Sequence, residues 1–285
     1  MSSYKIAAIQ LYCEPLAPEA NHKRACDFIR KAAAKGAQLA VLPEFHLNAW
    51  EPSHPEWAIQ AAQYRKYVES YCGDADANNP LFRNVAYFID NQGKILGSYQ
   101  KKNLWHSERG HLTSAVDDLH PVIDTPIGKV GLLACWDLAF PEAFRELIAG
   151  GAETIIIPAY WTFAEASGAG MRYNARCEQL VLNSMVVSRC FENTCAIVFV
   201  NAGNAVPKRD DKKNICVGES QISVPFIGAL EKLGDAEGMI IADIDTQILK
   251  DAEDNYKVRE DMAKSNWHYV YRHSTIGKNG ISATT

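Results

Sequence analysis

Much that would classify this chain at once is missing. The 285 residues hold eight cysteines, yet none stand at Cys-x-x-Cys spacing and no Asn-x-Ser/Thr acceptor occurs. Without a disulfide or zinc pattern, the cysteines read as reduced thiols of a cytoplasmic protein. The N-terminus, Met1-Ser-Ser-Tyr-Lys-Ile6, lacks the apolar segment of a signal peptide. No uncharged run reaches the ~20 residues that span a bilayer, so a membrane is not an expected partner. The net charge is -5, with no basic excess, which argues against a nucleic-acid partner. There is no Gly-x-Ser-x-Gly elbow, no phosphate-binding glycine loop and no His-Glu-x-x-His. The eight histidines are scattered, and His106 and His111 have no further ligands nearby. Neither a metal nor a cofactor is expected.

What is present is enough apolar material, 47% of residues, for one large domain with a well-buried core. Short apolar runs alternate with helical patterns. Tyr4–Leu11 reads as a strand, and Pro18–Ala34 as a helix that ends at Gly36. Leu39–Leu42 is a buried strand stopped by Pro43, and Pro55–Tyr71 is helical. Asn84–Asp90 and Lys94–Tyr99 flank the turn Asn91-Gln-Gly93, a hairpin signal. Val122–Thr125 and Lys129–Ala134 flank another turn. A helix (Pro141–Ala149), a strand (Thr154–Ile157) and a long helix (about Arg172–Cys190) follow. Further strands are expected at Cys195–Val200, Ile222–Val224 and Met239–Ala242. Strands joined by both helices and hairpins imply an α/β protein with mixed sheets. The polar tail after Asp245, with Trp267, Tyr269 and Tyr271 spaced two apart, reads as a segment packing on the domain or on a neighbour.

Three positions combine into chemistry. Cys135 ends the apolar run Lys129–Ala134 and opens Cys135-Trp-Asp-Leu-Ala-Phe-Pro-Glu142, where a strand breaks into a turn and then a helix. A thiol placed there points into a cleft, and the helix N-terminus is expected to favour thiolate. Free thiols titrate near ~8.5, so a nucleophile at neutral pH needs such help. Glu44 and Lys101 also follow strands, in Leu42-Pro-Glu44 and Tyr99-Gln-Lys101-Lys-Asn-Leu-Trp105. Taken singly each has an ordinary reading: Glu44 as a surface carboxylate, and the other cysteines (Cys13, Cys26, Cys72, Cys177, Cys190, Cys195, Cys216) as small buried hydrophobes.

With Glu108, Arg189-Cys-Phe-Glu-Asn193 and the weaker Gly218-Glu-Ser220, these segments resemble the carbon–nitrogen hydrolase (nitrilase) superfamily from Ile6 to about Arg259. The resemblance implies a Glu44–Lys101–Cys135 triad, with Glu108 as a second carboxylate holding Lys101 and Glu44. It also implies a four-layer α-β-β-α sandwich of two mixed sheets. The motif register favours Lys101 over Lys102. On that reading Glu44 moves protons, while Lys101 and the Trp136 backbone N–H stabilise the tetrahedral intermediate. Trp161 and Tyr160 are candidates for the acyl pocket. Residues 1–285 form one domain, with 246–285 as its tail. Glu142 and Asn193 read as scaffold.

Leu138 and Ala139, also candidates for the substrate pocket, stand where relatives that hold a substrate carboxylate commonly carry arginine, which argues against an acidic substrate bound in that mode. Trp136-Asp137 favours a carboxamide over a nitrile. The expected reaction is thiol-dependent hydrolysis of a small carboxamide to acid and ammonia. A nitrilase or an N-carbamoyl amidohydrolase on the same triad is the alternative. The apolar order of Val181, Leu182, Met185 and Val186 suggests a homodimer or higher homo-oligomer. One departure stands out: where the family has a further strand, the chain runs from Tyr71 into Cys72-Gly-Asp-Ala-Asp-Ala-Asn-Asn-Pro80. The shortened 72–83 region keeps open a catalytically weak binding or scaffold protein.

Overall fold

A computed structural model describes residues 3–62, 82–206 and 216–269. The chain begins with β1 (Ser3–Gln10), α1 (Pro18–Ala34), β2 (Leu39–Val41), α2 (Pro55–Ala62), β3 (Phe82–Arg83), β4 (Val85–Ile89) and β5 (Ile95–Gln100). It continues with β6 (Leu112–Thr113), β7 (Val122–Thr125), β8 (Gly128–Leu132), α3 (Pro141–Ala149), β9 (Thr154–Ala159), α4 (Gly168–Tyr173), α5 (Cys177–Glu192) and β10 (Ala196–Asn201). Last come β11 (Gln221–Val224), β12 (Gly228–Lys232), β13 (Gly238–Asp245), α6 (Thr246–Tyr256) and α7 (Val258–Met262).

Six strands form one sheet in the order β12-β11-β10-β9-β8-β7. Its central members, β9 and β10, run parallel and are almost wholly buried, as unbroken Ile/Val sequences require when both faces are covered. A second layer holds β1 between antiparallel β13 and parallel β2, with the hairpin β4-β5 beside it. β1 packs on β10 and β5 on β7, while α5 covers β10, β11 and β12 and α1 adjoins β2. This is the expected four-layer α-β-β-α sandwich, with mixed strand directions.

Among the described residues the second layer is split. Among the described residues β2 pairs only with β1, and β4 only with β5. Between these two edges lies a slot of about 190 Å³, walled by Leu39–Val41 and Val85–Ile89 and floored by Leu132 and Ile156. The shortened region lies outside the described residues, apart from the short β3.

One helix differs from the sequence expectation. The long helix expected over 172–190 is two helices. Asn174 is extended (φ -154°) and its Oδ1 accepts from Arg176 N at 2.9 Å, so the side chain competes with the helical ladder. Its apolar excess is mostly spent internally: Leu182 and Val186 are fully buried, and Val181 and Met185 pack on the same core. The polar tail opens with α6, capped by Asp245 and anchored by buried Leu249 and Ala252. From α7, Arg259 Nη2 donates to Ala152 O at 2.7 Å, which ties this part of the tail to the domain. Residues 63–71 of the expected second helix and Tyr271 of the tail lie outside the described residues.

Candidate active site

The residues that sequence singled out converge because each follows a strand of one of the two facing layers. β2 stops at Val41, Pro43 ends pairing, and Phe45 turns the chain at φ 50°, which leaves Glu44 6% exposed between the sheets. Lys101 comes directly after β5 and is 1% exposed, with its backbone N–H on Asn84 O at 2.8 Å. Glu108 closes the 3-10 turn His106–Glu108 and is 3% exposed. Cys135 opens a second 3-10 turn, Cys135–Ala139, at φ 45°. A left-handed conformation at a non-glycine residue costs on the order of 1–3 kcal/mol and persists only where the surroundings enforce it.

Lys101 Nζ bridges both carboxylates, 3.0 Å from Glu44 Oε1 and 2.9 Å from each Glu108 oxygen. Asn84 Nδ2 donates to Glu44 Oε1 at 2.5 Å and reaches Glu108 Oε1 at 3.4 Å. The other oxygens are fixed by backbone: Tyr160 N–H donates to Glu44 Oε2 at 3.0 Å, and Trp105 N–H to Glu108 Oε2 at 2.6 Å. Burial works against the Lys101 ammonium, but Glu44, Cys135 and Glu108 outweigh it and hold the lysine protonated. Burial pushes Glu108 up to about 7 even though Lys101 opposes it.

The thiol departs from expectation. Its titration is raised well above the ordinary range, first by burial and then by the charge of Glu44, with Lys101 opposing. The helix expected to favour thiolate begins only at Pro141, after the 3-10 turn, and a carboxylate faces the sulfur. Burial and the neighbouring Glu44 carboxylate together favour the thiol form of Cys135.

Glu44, Lys101, Glu108 and Cys135 line one cavity, with Trp136, Tyr160 and Trp161 also in its wall. Trp136 packs against Trp105 (ring centroids 4.5 Å) and Trp161 (5.6 Å). About 20 Å³ is left open among the side chains, room for about one water, so only a small group enters without movement of the rings. Leu138 and Ala139 are not in the wall. Leu138 is fully buried, and the two carbonyls accept from Arg189 Nε (3.3 Å) and Nη2 (3.4 Å). Among the described residues no group of three His, Cys, Asp or Glu side chains is placed to hold a metal ion.

Sequence reading missed the supports. Asp137 is fully buried and accepts from Ala134 N (2.9 Å), Tyr99 Oη (2.8 Å), Asn103 N (3.0 Å) and Asn103 Nδ2 (2.8 Å), so it ties the cysteine turn to the lysine loop. Its position two residues past Cys135, on a buried turn, was the available signal. Asn84 gave none, being one polar residue at the start of a strand. Glu178 accepts from Trp161 Nε1 at 2.6 Å and sets that ring. Glu165 also lines the cavity.

Known proteins align with this frame. The carbon-nitrogen hydrolase family model matches residues 5–253. The chain is 27% identical over 271 residues to the omega-amidase NIT2 of Homo sapiens, covering 87% of this chain and 91% of the relative. It is 26% identical over 260 residues to the 2-oxoglutaramate amidase of Bacillus subtilis, covering 87% and 93%. Among solved structures, a carbon-nitrogen hydrolase from Helicobacter pylori G27 superposes with a TM-score of 0.75 at 20% identity, covering 91% of this chain and 95% of that one. Saccharomyces cerevisiae Nit3, of the nitrilase superfamily, gives 0.70 at 20% identity, covering 93% and 96%.

Proposed function

The chain belongs to the carbon–nitrogen hydrolase family, and from that premise we propose that it hydrolyses a small carboxamide to the acid and ammonia through a Cys135 thioester. One observation carries the reading: a buried lysine bridges two carboxylates in the wall of the cavity that also holds the cysteine. Glu44 takes the thiol proton as Sγ bonds to the amide carbon. Lys101 and the Trp136 N–H stabilise the charge that develops on oxygen. As the C–N bond breaks, Glu44 returns the proton to nitrogen and ammonia leaves. A water then attacks the thioester, Glu44 takes its proton, the acid departs and Sγ is reprotonated. Glu108 and Asn84 position the lysine and the base.

Carboxamide is preferred to nitrile or carbamoyl substrates because relatives of 27% and 26% identity are named as amidases. The pair Trp136-Asp137 carries less weight, since the Asp137 side chain is engaged with Tyr99 and Asn103. The described cysteines are free thiols, which fits a reducing, cytoplasmic setting, and no described helix is long and apolar enough to cross a membrane. A homodimer remains part of the reading, supported by exposed Met171, Tyr173 and Leu180 on α4 and α5; a monomeric mass in light scattering would count against it.

The test is ammonia release from a panel of aliphatic amides, nitriles and carbamoyl compounds. Cys135→Ala should abolish turnover and chelators should leave it unchanged. Full activity in Cys135→Ala, or loss with a chelator, sinks the mechanism.

A further inference from the structure

Lys101 is the one cationic side chain among the described residues of the cavity wall, and it is already shared between Glu44 and Glu108. A third carboxyl, Glu165, lines the same space from the short turn Phe163–Glu165 beyond β9. Its hydrogen-bond partners are neutral. Thr162 Oγ1 donates to Glu165 Oε1 at 3.1 Å, and the neutral Trp105 side chain also favours the charged form of this carboxyl. Burial is the strongest influence on this carboxyl and pushes its titration up; the charge of Glu178 adds to that, and Lys101 is the weakest opposing influence.

A buried carboxyl held by neutral donors gains most from a cation that completes its hydrogen bonding. The remaining wall suits the same guest. Phe45 stacks on Trp50 with centroids 4.9 Å apart, and Trp136 stands between Trp105 and Trp161, so aromatic rings line the opening. Aromatic faces attract ammonium groups, most of all where water is excluded. A carboxylate guest would instead meet three carboxyl groups and a lysine whose charge is already engaged.

Resting on the amide-hydrolase reading above, we infer that the acyl pocket selects a small carboxamide bearing an ammonium group, held by Glu165 within the aromatic wall. It disfavours amides that carry a carboxylate, the chemistry in the name of the 2-oxoglutaramate amidase relative.

Three amides of similar size test this: β-alaninamide (cationic), butyramide (neutral) and succinamate (anionic). The expected order of kcat/KM is β-alaninamide above butyramide by about 10–100-fold, the worth of a charge-assisted hydrogen bond, with succinamate below both. Glu165→Gln should bring the β-alaninamide to butyramide ratio down toward one. Succinamate as the best substrate overturns the inference, and so does a ratio that Glu165→Gln leaves unchanged. Calorimetry on Cys135→Ala reads the same order without turnover. β-Alaninamide binding at least tenfold tighter than succinamate supports the pocket even if no amide releases ammonia, an outcome that sinks the hydrolase reading alone. The reverse order, or no binding of β-alaninamide, overturns the inference whichever amides are hydrolysed.

Discussion

Asn84 and Glu44 share a hydrogen bond of 2.5 Å, in which Asn84 Nδ2 donates to the same Oε1 that receives Lys101 Nζ. One carboxylate oxygen therefore takes two donors, while Tyr160 N–H fixes the other. A carboxylate held this way points one way and cannot swing onto solvent.

The first prediction concerns the thiol. After burial, the charge of Glu44 is the largest influence raising Cys135, and Lys101 opposes it. Neutralising Glu44 while keeping its shape should let the thiol ionise at lower pH. The ultraviolet thiolate signal, taken as a difference against Cys135→Ala, should show a lower midpoint in Glu44→Gln than in the unaltered protein. Amide turnover in Glu44→Gln should fall by at least ~10²-fold, since the proton shuttle is gone. A midpoint that rises or stays put would mean that Glu44 does not face the sulfur electrostatically.

A second prediction follows from Glu108, raised to about 7 from an ordinary 4.5, first by burial. Between those values the folded chain binds more protons than the unfolded one, so stability from this group falls as pH rises through the window and is flat above it. The full effect is on the order of 3 kcal/mol. Glu108→Gln removes the titration, so its urea midpoint should fall less than that of the unaltered protein between about pH 5 and about pH 8. The rising limb of kcat/KM should share the midpoint near 7, because a proton on Glu108 leaves Lys101 pairing with Glu44 alone and weakens the base.

Asp137 supplies the third. Its carboxylate takes four donors on a fully buried turn. Asp137→Asn keeps the volume but places an N–H₂ against groups that are themselves donors. With about 1.5–3 kcal/mol per hydrogen bond to a charged group, a destabilisation of about 3 kcal/mol is expected, read as a thermal midpoint lower by roughly 5–10 °C. Turnover should drop further than stability explains, because Asp137 joins the Cys135 turn to the Lys101 loop. A thermal midpoint within about 1 °C of the parent would remove Asp137 as the link.

The strands, and the meeting of Glu44, Lys101 and Cys135 in one cavity, were legible because each rests on local signals: Val/Ile runs such as Ile155-Ile-Ile157, turn residues such as Gly93, and short motifs around Glu44, Lys101 and Cys135. The helix break at Asn174 was not, since the Asx hydrogen bond to Arg176 competes with an apolar period that runs on without a glycine or proline. The thiol's protonation was hidden for a related reason. A helix following a cysteine is visible in sequence, but the distance to a carboxylate from another strand is not. Leu138 and Ala139 were expected in the pocket from their place after Cys135. The tight turn Cys135–Ala139 instead sends Leu138 into the core and offers its carbonyls to Arg189. Asn84 and Glu165 act through contacts 40 and 60 positions away from their partners Glu44 and Trp105, respectively, which no local pattern encodes.

The last prediction addresses the slot between β2 and β4. Two strand edges with no described partner on the facing side enclose about 190 Å³ walled by Leu39, Val41, Val85, Tyr87 and Ile89. Unpaired edges with apolar flanks favour association on heating. A chain carrying one extra β-branched strand inserted after Tyr71 can lay it along both edges. Roughly six ladder hydrogen bonds of about 1 kcal/mol each, together with apolar burial, work against an ordering cost of about 1–2 kcal/mol per residue. A net gain on the order of 2 kcal/mol is expected, seen as a thermal midpoint higher by roughly 4–8 °C and as less aggregate after heating. Ammonia release should rise with it only if the split layer loosens Glu44, which lies three residues past the end of β2 at Val41. Equal midpoints and equal turnover would show that the short chain closes its second layer without help. A large gain in turnover would favour the scaffold reading for the chain as it stands.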